Sequence, residues 1–128
     1  MIAAYLRARA LLDVALGVLL LAATWDGLYD ALGLPLPRPE LYAQIAGAAL
    51  LGFAYLLWIS PRNDNLTPAV ALAAAIGNAL SAVILLVWLV RGDVDGFLLW
   101  LFVPVCAVSA TIEGAIASRR VAMLVPGD

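Results

Sequence analysis

The sequence predicts an all-α membrane protein in which four transmembrane helices form an up-down-up-down bundle. Apolar residues make up 66% and charged residues 12% of its 128 residues, whereas soluble domains have about half and about a quarter. The apolar residues are concentrated in four runs, each close to the roughly 20 residues that cross a hydrocarbon core as a helix. The predicted spans are residues 10–32, 41–59, 68–90 and 97–118.

Short polar breaks separate these runs. The first break, at residues 34–40, contains three prolines, and the second, at residues 60–65, combines Pro61 with Asn63 and Asn65. The third, at residues 91–96, contains two glycines and two aspartates. Proline and glycine interrupt helices, and connections this short make consecutive helices antiparallel neighbours.

The arginines predict the orientation of the bundle. Arg38 and Arg91 fall on one side, and five others fall on the opposite side, namely Arg7, Arg9, Arg62, Arg119 and Arg120. By the positive-inside rule, both termini are cytoplasmic. Two arginines before an apolar run resemble a signal peptide. Because Asp13 interrupts that run, we expect the segment to remain as the first span.

Absent residue types exclude several kinds of chemistry. The chain has no histidine and no lysine, since all seven basic residues are arginine. Histidine-ligated haem, most zinc and copper sites, Ser-His-Asp relays and lysine Schiff bases are thereby excluded. No basic tract is suited to nucleic acid, and no metal site, cofactor or catalytic residue is assigned.

Polar side chains within the predicted spans are the candidate functional residues, because such residues are costly in hydrocarbon. These candidates are Asp13, Asn78, Ser81, Ser109 and Glu113. Glu113 continues a stripe of α-helical spacing that contains Phe102, Cys106 and Ser109. The residues are interpreted either as a relay or ligand-binding set, or as structural groups: Asp13 paired with Arg9, Glu113 with an arginine, and Asn78 bonded across helices.

A second group of candidates lies at the predicted outer rim, where the first span ends. It comprises Trp25, Asp26, Tyr29 and Asp30. Asp26 and Asp30 are one helical turn apart and share a face. An acidic rim of this kind attracts cations or a basic partner, or it is simply the solvated side that lacks arginine.

Small residues at a spacing of four predict the faces through which the helices pack. The third span has such a series at residues 69, 73, 77 and 81, which places Ser81 and Asn78 on its packing side. The second span has two candidate pairs, Ala43 with Gly47 and Ala48 with Gly52.

Four segments of the first half resemble DoxX-like small bacterial membrane proteins. These are the Gly33-Leu-Pro break, residues 38–41 (RPEL), the Ala46-Gly47 pair and residues 60–62 (SPR). The resemblance implies a four-helix bundle in the bacterial inner membrane. Some members of that family associate with quinone-linked oxidoreductases, and the resemblance assigns no functional residue.

Three functions are compatible with these features. The first is a non-enzymatic protein that binds a lipid-like or quinone-like molecule, or that serves as an accessory subunit of a membrane complex. The second is a dimeric proton- or cation-coupled small transporter that uses Asp13 or Glu113. The third is a membrane enzyme that isomerises a lipid. Few catalytic groups are present, so we rank the first ahead of the others.

Overall fold

The computed structural model describes residues 1–94 and 96–124, with side chains through residue 119. All regular structure in this part of the chain is helical. The helices are α1 (Ile2–Leu21), α2 (Asp26–Leu32), α3 (Glu40–Ile59), α4 (Leu66–Arg91) and α5 (Phe97–Leu124), with a 3-10 turn at Ser60–Arg62. Asp95 of the third loop and the side chain of Arg120 lie outside the described residues.

The chain divides into two compact units, Met1–Ile59 and Ser60–Asp128. In the first unit, α1 packs against α3. In the second, α4 packs against α5. Each unit therefore has its own pair of long helices, which are joined through α2 in the first unit and by a short loop in the second.

Three helical segments are long and apolar enough to cross a membrane, namely Glu40–Arg62, Leu66–Arg91 and Phe97–Arg119. Large apolar side chains are exposed along α4, among them Leu72, Ile76, Leu80, Val83 and Val87. An apolar surface this extensive is costly in water but is well solvated by hydrocarbon, as a membrane protein requires. The four-span bundle stays a prediction.

The first predicted span differs from the structure. In place of one helix over residues 10–32, α1 ends at Leu21 and α2 begins at Asp26. The Tyr29 hydroxyl donates to the Leu19 carbonyl oxygen at 2.9 Å, which adds a side-chain donor to a last-turn carbonyl of α1 that also accepts from the Ala22 N–H at 3.1 Å. Asp26 lies in the first turn of α2, where a negative charge is favourable. The interruption is thus stabilised by side chains, without proline.

Glycine ends α2 and α4 in the same way. Gly33 and Gly92 both have left-handed backbone conformations, with φ of 62° and 73°. After each, the next residue donates its N–H to a carbonyl five positions back: Leu34 to Tyr29 at 3.0 Å and Asp93 to Trp88 at 3.2 Å. This pairing satisfies otherwise open carbonyls at a helix end, so both chain reversals are specified locally.

The side chain of Asn63 organises the start of α4. Its Oδ1 accepts hydrogen bonds from the backbone N–H groups of Asn65 at 3.0 Å and Leu66 at 3.3 Å. The Thr67 hydroxyl then donates to the Ser60 carbonyl at 2.7 Å. The turn between the 3-10 segment and α4 is therefore closed by side chains from both of its ends.

We expect Asn63→Ala to destabilise this turn by about 1 kcal/mol, since two N–H groups at the helix start lose their side-chain acceptor. Reversible unfolding in detergent micelles measures the loss. Asn65→Ala is the matched control, because the Asn65 side chain makes no cap hydrogen bond. Equal losses in the two variants would show that the Asn63 side chain contributes nothing specific.

Candidate functional site

The candidate site with the clearest geometry lies between α4 and α5. The Asn78 Nδ2 donates a hydrogen bond to Glu113 Oε2 at 2.7 Å. Glu113 is 0% exposed and Asn78 is 6% exposed. A hydrogen bond from an amide to a carboxylate is stronger than one between two neutral groups. This bond therefore fixes both side chains and the register between the two helices.

Helical spacing places Asn78 on the buried face of α4. The other small residues of that face are Ala71, Ala74, Ala75 and Ala82. Alanines let the two backbones approach closely, and this approach brings the short amide of Asn78 within reach of α5. Asn78 is therefore a polar side chain among small apolar residues of this face.

Glu113 belongs to the polar stripe predicted on α5. Cys106 is buried in the same stripe, and Phe102 and Ser109 are half-buried. Pro104 lies inside α5 without ending it, and its ring removes one helical hydrogen bond at this level of the helix. The stripe thus runs along one side of α5 from Phe102 to the carboxylate.

Ser81 does not join this group, and this corrects the prediction from small-residue spacing. The series Ala69, Ala73, Gly77 and Ser81 is exposed, and a Cβ added at Gly77 would meet no atom within 4 Å. The contact face of α4 is instead centred on Ala71, Ala75 and Asn78, so Ser81 points away from it. Small residues on both sides of α4 made the two faces look alike in the sequence.

A second buried carboxylate lies in the first unit. Asp13 is 1% exposed, and its Oδ1 accepts a hydrogen bond from Arg9 Nη1 within the same helix. The Asp13 Oδ2 is buried and has no hydrogen-bond partner. The ion pair between residues four apart, one of the two sequence interpretations, is therefore present in α1.

Asp13 shares the buried side of α1 with Leu6, Ala10 and Gly17. Gly17 belongs to a close approach of the two helices in this unit. A Cβ added there would lie 2.9 Å from the Gly47 carbonyl oxygen, and one added at Gly47 would lie 2.6 Å from the Gly17 carbonyl oxygen. The sequence pointed to Gly47 but missed Gly17. The residues four positions from Gly17 are Asp13 and Leu21, and neither is small.

The predicted outer-rim residues do not gather into a site. Trp25, Asp26 and Asp30 are exposed, whereas Tyr29 is buried. The Tyr29 hydroxyl donates to a backbone carbonyl, so it is engaged in holding α1 and α2. The acid-base arrangement that a lipid isomerase needs therefore has no support at this rim.

Comparisons with known proteins give no match: no protein-family model, no curated protein and no solved structure is similar to this chain. Within the described residues, no group of three histidine, cysteine, aspartate or glutamate side chains is placed to hold a metal ion. The functional groups of the candidate site are therefore the buried Glu113 carboxylate and the Asn78 amide that donates to it.

Proposed function

We propose that this protein is a non-enzymatic, multi-pass protein of the bacterial inner membrane that binds a lipid-like or quinone-like molecule at Asn78 and Glu113. In this proposal α1 provides a fourth span, and both termini are cytoplasmic, as the arginines favour. The observation that carries the proposal is the buried Asn78–Glu113 hydrogen bond of 2.7 Å.

The chemistry of the two side chains supports a ligand with an apolar body and a polar head. Binding sites for such molecules are mostly apolar, with a few polar groups that fix the head group. The α4–α5 contact has this composition, since alanines surround Asn78 and the stripe of Cys106 and Ser109 leads to Glu113. An amide and a carboxyl group together both donate and accept hydrogen bonds, which suits carbonyl and hydroxyl head groups.

The resemblance to DoxX-like proteins makes a quinone-like head group one natural member of this ligand class. Association with a larger membrane complex is compatible with the same site. The transporter interpretation requires a path across the membrane in addition to a buried carboxylate, and Asn78 with Glu113 alone supplies only the carboxylate.

We expect the gently extracted wild-type protein to retain a lipid-like molecule that native mass spectrometry detects. Glu113→Ala and Asn78→Ala should each reduce its occupancy about tenfold, since one hydrogen bond to a charged group is worth roughly 1.5 kcal/mol. Masses released by organic extraction identify the molecule.

Thr111→Ala is the matched control. Thr111 lies on the exposed side of α5, and its hydroxyl donates to the Ala107 carbonyl of its own helix at 3.0 Å. Occupancy should stay at the wild-type value in this variant. A wild-type protein without any bound apolar molecule, or equal occupancy in all four proteins, would contradict the proposal, provided that circular dichroism shows the helices intact.

A further inference from the structure

An exposed arginine is stacked on an exposed tryptophan at one end of the first unit. The guanidinium carbon of Arg7 lies 5.7 Å from the centre of the Trp58 ring. Arg7 belongs to the first half of α1, and Trp58 belongs to the last turn of α3. The two side chains therefore mark the end of the hairpin where α1 begins and α3 ends.

Arg7 differs from two other arginines in having no acid beside it. Arg9 pairs with Asp13, and Arg91 pairs with Asp93 at 2.8 Å. Among the described residues, Arg7 has no carboxylate partner, and its guanidinium lies over the indole of Trp58. Its positive charge is thus positioned but not neutralised.

Arg7 is exposed, so N–H donors of its guanidinium are open to an acceptor from outside the protein. A cation–π contact uses the face of the aromatic ring, and the five N–H donors of a guanidinium match the oxygens of a phosphate. Tyr55 is 64% exposed and lies one turn before Trp58 on α3, so it adds a second interfacial aromatic side chain. Together, Arg7, Tyr55 and Trp58 form what we name the Arg7 cluster.

We propose that the Arg7 cluster binds the phosphate group of an anionic phospholipid. The inference rests on the membrane location in the proposed function, but not on the ligand at Asn78 and Glu113. Trp58 lies within a segment, Glu40–Arg62, that is long and apolar enough to cross the bilayer. Tryptophan and tyrosine near the end of a span lie at the level of the lipid head groups, where arginine attracts anionic lipids.

Native mass spectrometry of the purified protein, titrated with phosphatidylglycerol or with phosphatidylcholine, tests the proposal. We expect wild type to bind phosphatidylglycerol more tightly, and Arg7→Gln to weaken that binding about fivefold, as loss of one interfacial arginine predicts. Trp58→Leu should weaken it as well, because Arg7 loses the surface that positions it. Phosphatidylcholine binding should change little.

Arg91→Gln is the matched control. Arg91 is also stacked on a tryptophan, Trp88, at 5.7 Å, but its charge is paired with Asp93. This variant should keep the phosphatidylglycerol preference, and so should Glu113→Ala, which separates the Arg7 cluster from the site between α4 and α5.

Three results would overturn the proposal. They are equal binding of the two lipids by wild type, an unchanged preference in Arg7→Gln, and displacement of phosphatidylglycerol by millimolar inorganic phosphate. The last would indicate a site for free phosphate in place of the lipid head group. A protein that fails to enter bilayers at all would instead refute the membrane location itself.

Discussion

Gly47→Leu is expected to separate α1 from α3 and to destabilise the first unit by about 3 kcal/mol or more. A Cβ at Gly47 would lie 2.6 Å from the Gly17 carbonyl oxygen and 3.0 Å from the Leu21 backbone nitrogen. Both are backbone atoms, so no side-chain rotation relieves the overlap. The whole helix must move, and contacts along its length are lost.

The same helix offers a matched control. Gly52 lies on the exposed side of α3, and a Cβ added there would meet no atom within 4 Å. Gly52→Leu should therefore change the free energy of unfolding by less than about 0.5 kcal/mol. Reversible unfolding in mixed detergent micelles, followed by tryptophan fluorescence, measures both variants. If Gly47→Leu were as stable as Gly52→Leu, the close approach of Gly17 and Gly47 would be refuted.

Glu113→Leu is expected to destabilise the second unit by about 2 kcal/mol, because the Asn78 amide remains buried after its acceptor is removed. Asn78→Leu should have a similar effect, because the buried Glu113 carboxylate then loses the amide that donates to it. Glu113→Gln should be milder than Glu113→Leu, since its amide oxygen still accepts from Asn78 Nδ2.

A double-mutant cycle isolates the bond itself. The double variant Asn78→Leu/Glu113→Leu should lose less stability than the sum of the two single variants, with a coupling free energy of about 1 kcal/mol. Thr111→Leu, an exposed site on α5, serves as the control and should give no coupling with Asn78→Leu. Additivity of the first pair would mean that the hydrogen bond between α4 and α5 contributes nothing measurable.

The sequence predicted α3, α4 and α5 closely because apolar length and helix breakers coincide there. The predicted spans 41–59 and 68–90 compare with Glu40–Ile59 and Leu66–Arg91. The first span was predicted less well, because the helix does not have the same limits as the apolar run of residues 10–32. Alanine, leucine and arginine all favour helix, so α1 extends back through its charged turns to Ile2. Near its end at Leu21, the Leu19 carbonyl accepts from the hydroxyl of Tyr29, a contact that the apolar run does not reveal.

The polar candidates within the spans were recognisable from their rarity, and spacing predicted Arg9 as the partner of Asp13, but the contact between Asn78 and Glu113 was not predicted. Composition marks Asn78 and Glu113 as unusual polar residues in apolar helices. Whether their side chains come into contact depends on the rotation and register of α4 and α5. Ser81 illustrates the difficulty, because both faces of α4 carry small residues. Gly17 illustrates the opposite case, in which a single glycine without a small residue at a spacing of four permits a close backbone approach in the first unit.

The charges of α1 bear on how the protein is assembled during synthesis. Arg9 and Asp13 lie near the middle of α1 (Ile2–Leu21), and residues of these types each cost roughly 3 kcal/mol at the middle of a translocated helix. Such a segment is a poor substrate for insertion on its own. Pairing of Arg9 with Asp13 offsets part of that cost, and the glycine contact gives α1 a specific docking place on α3. We therefore expect α1 to remain beside the protein-conducting channel until α3 emerges, and to enter the lipid together with it.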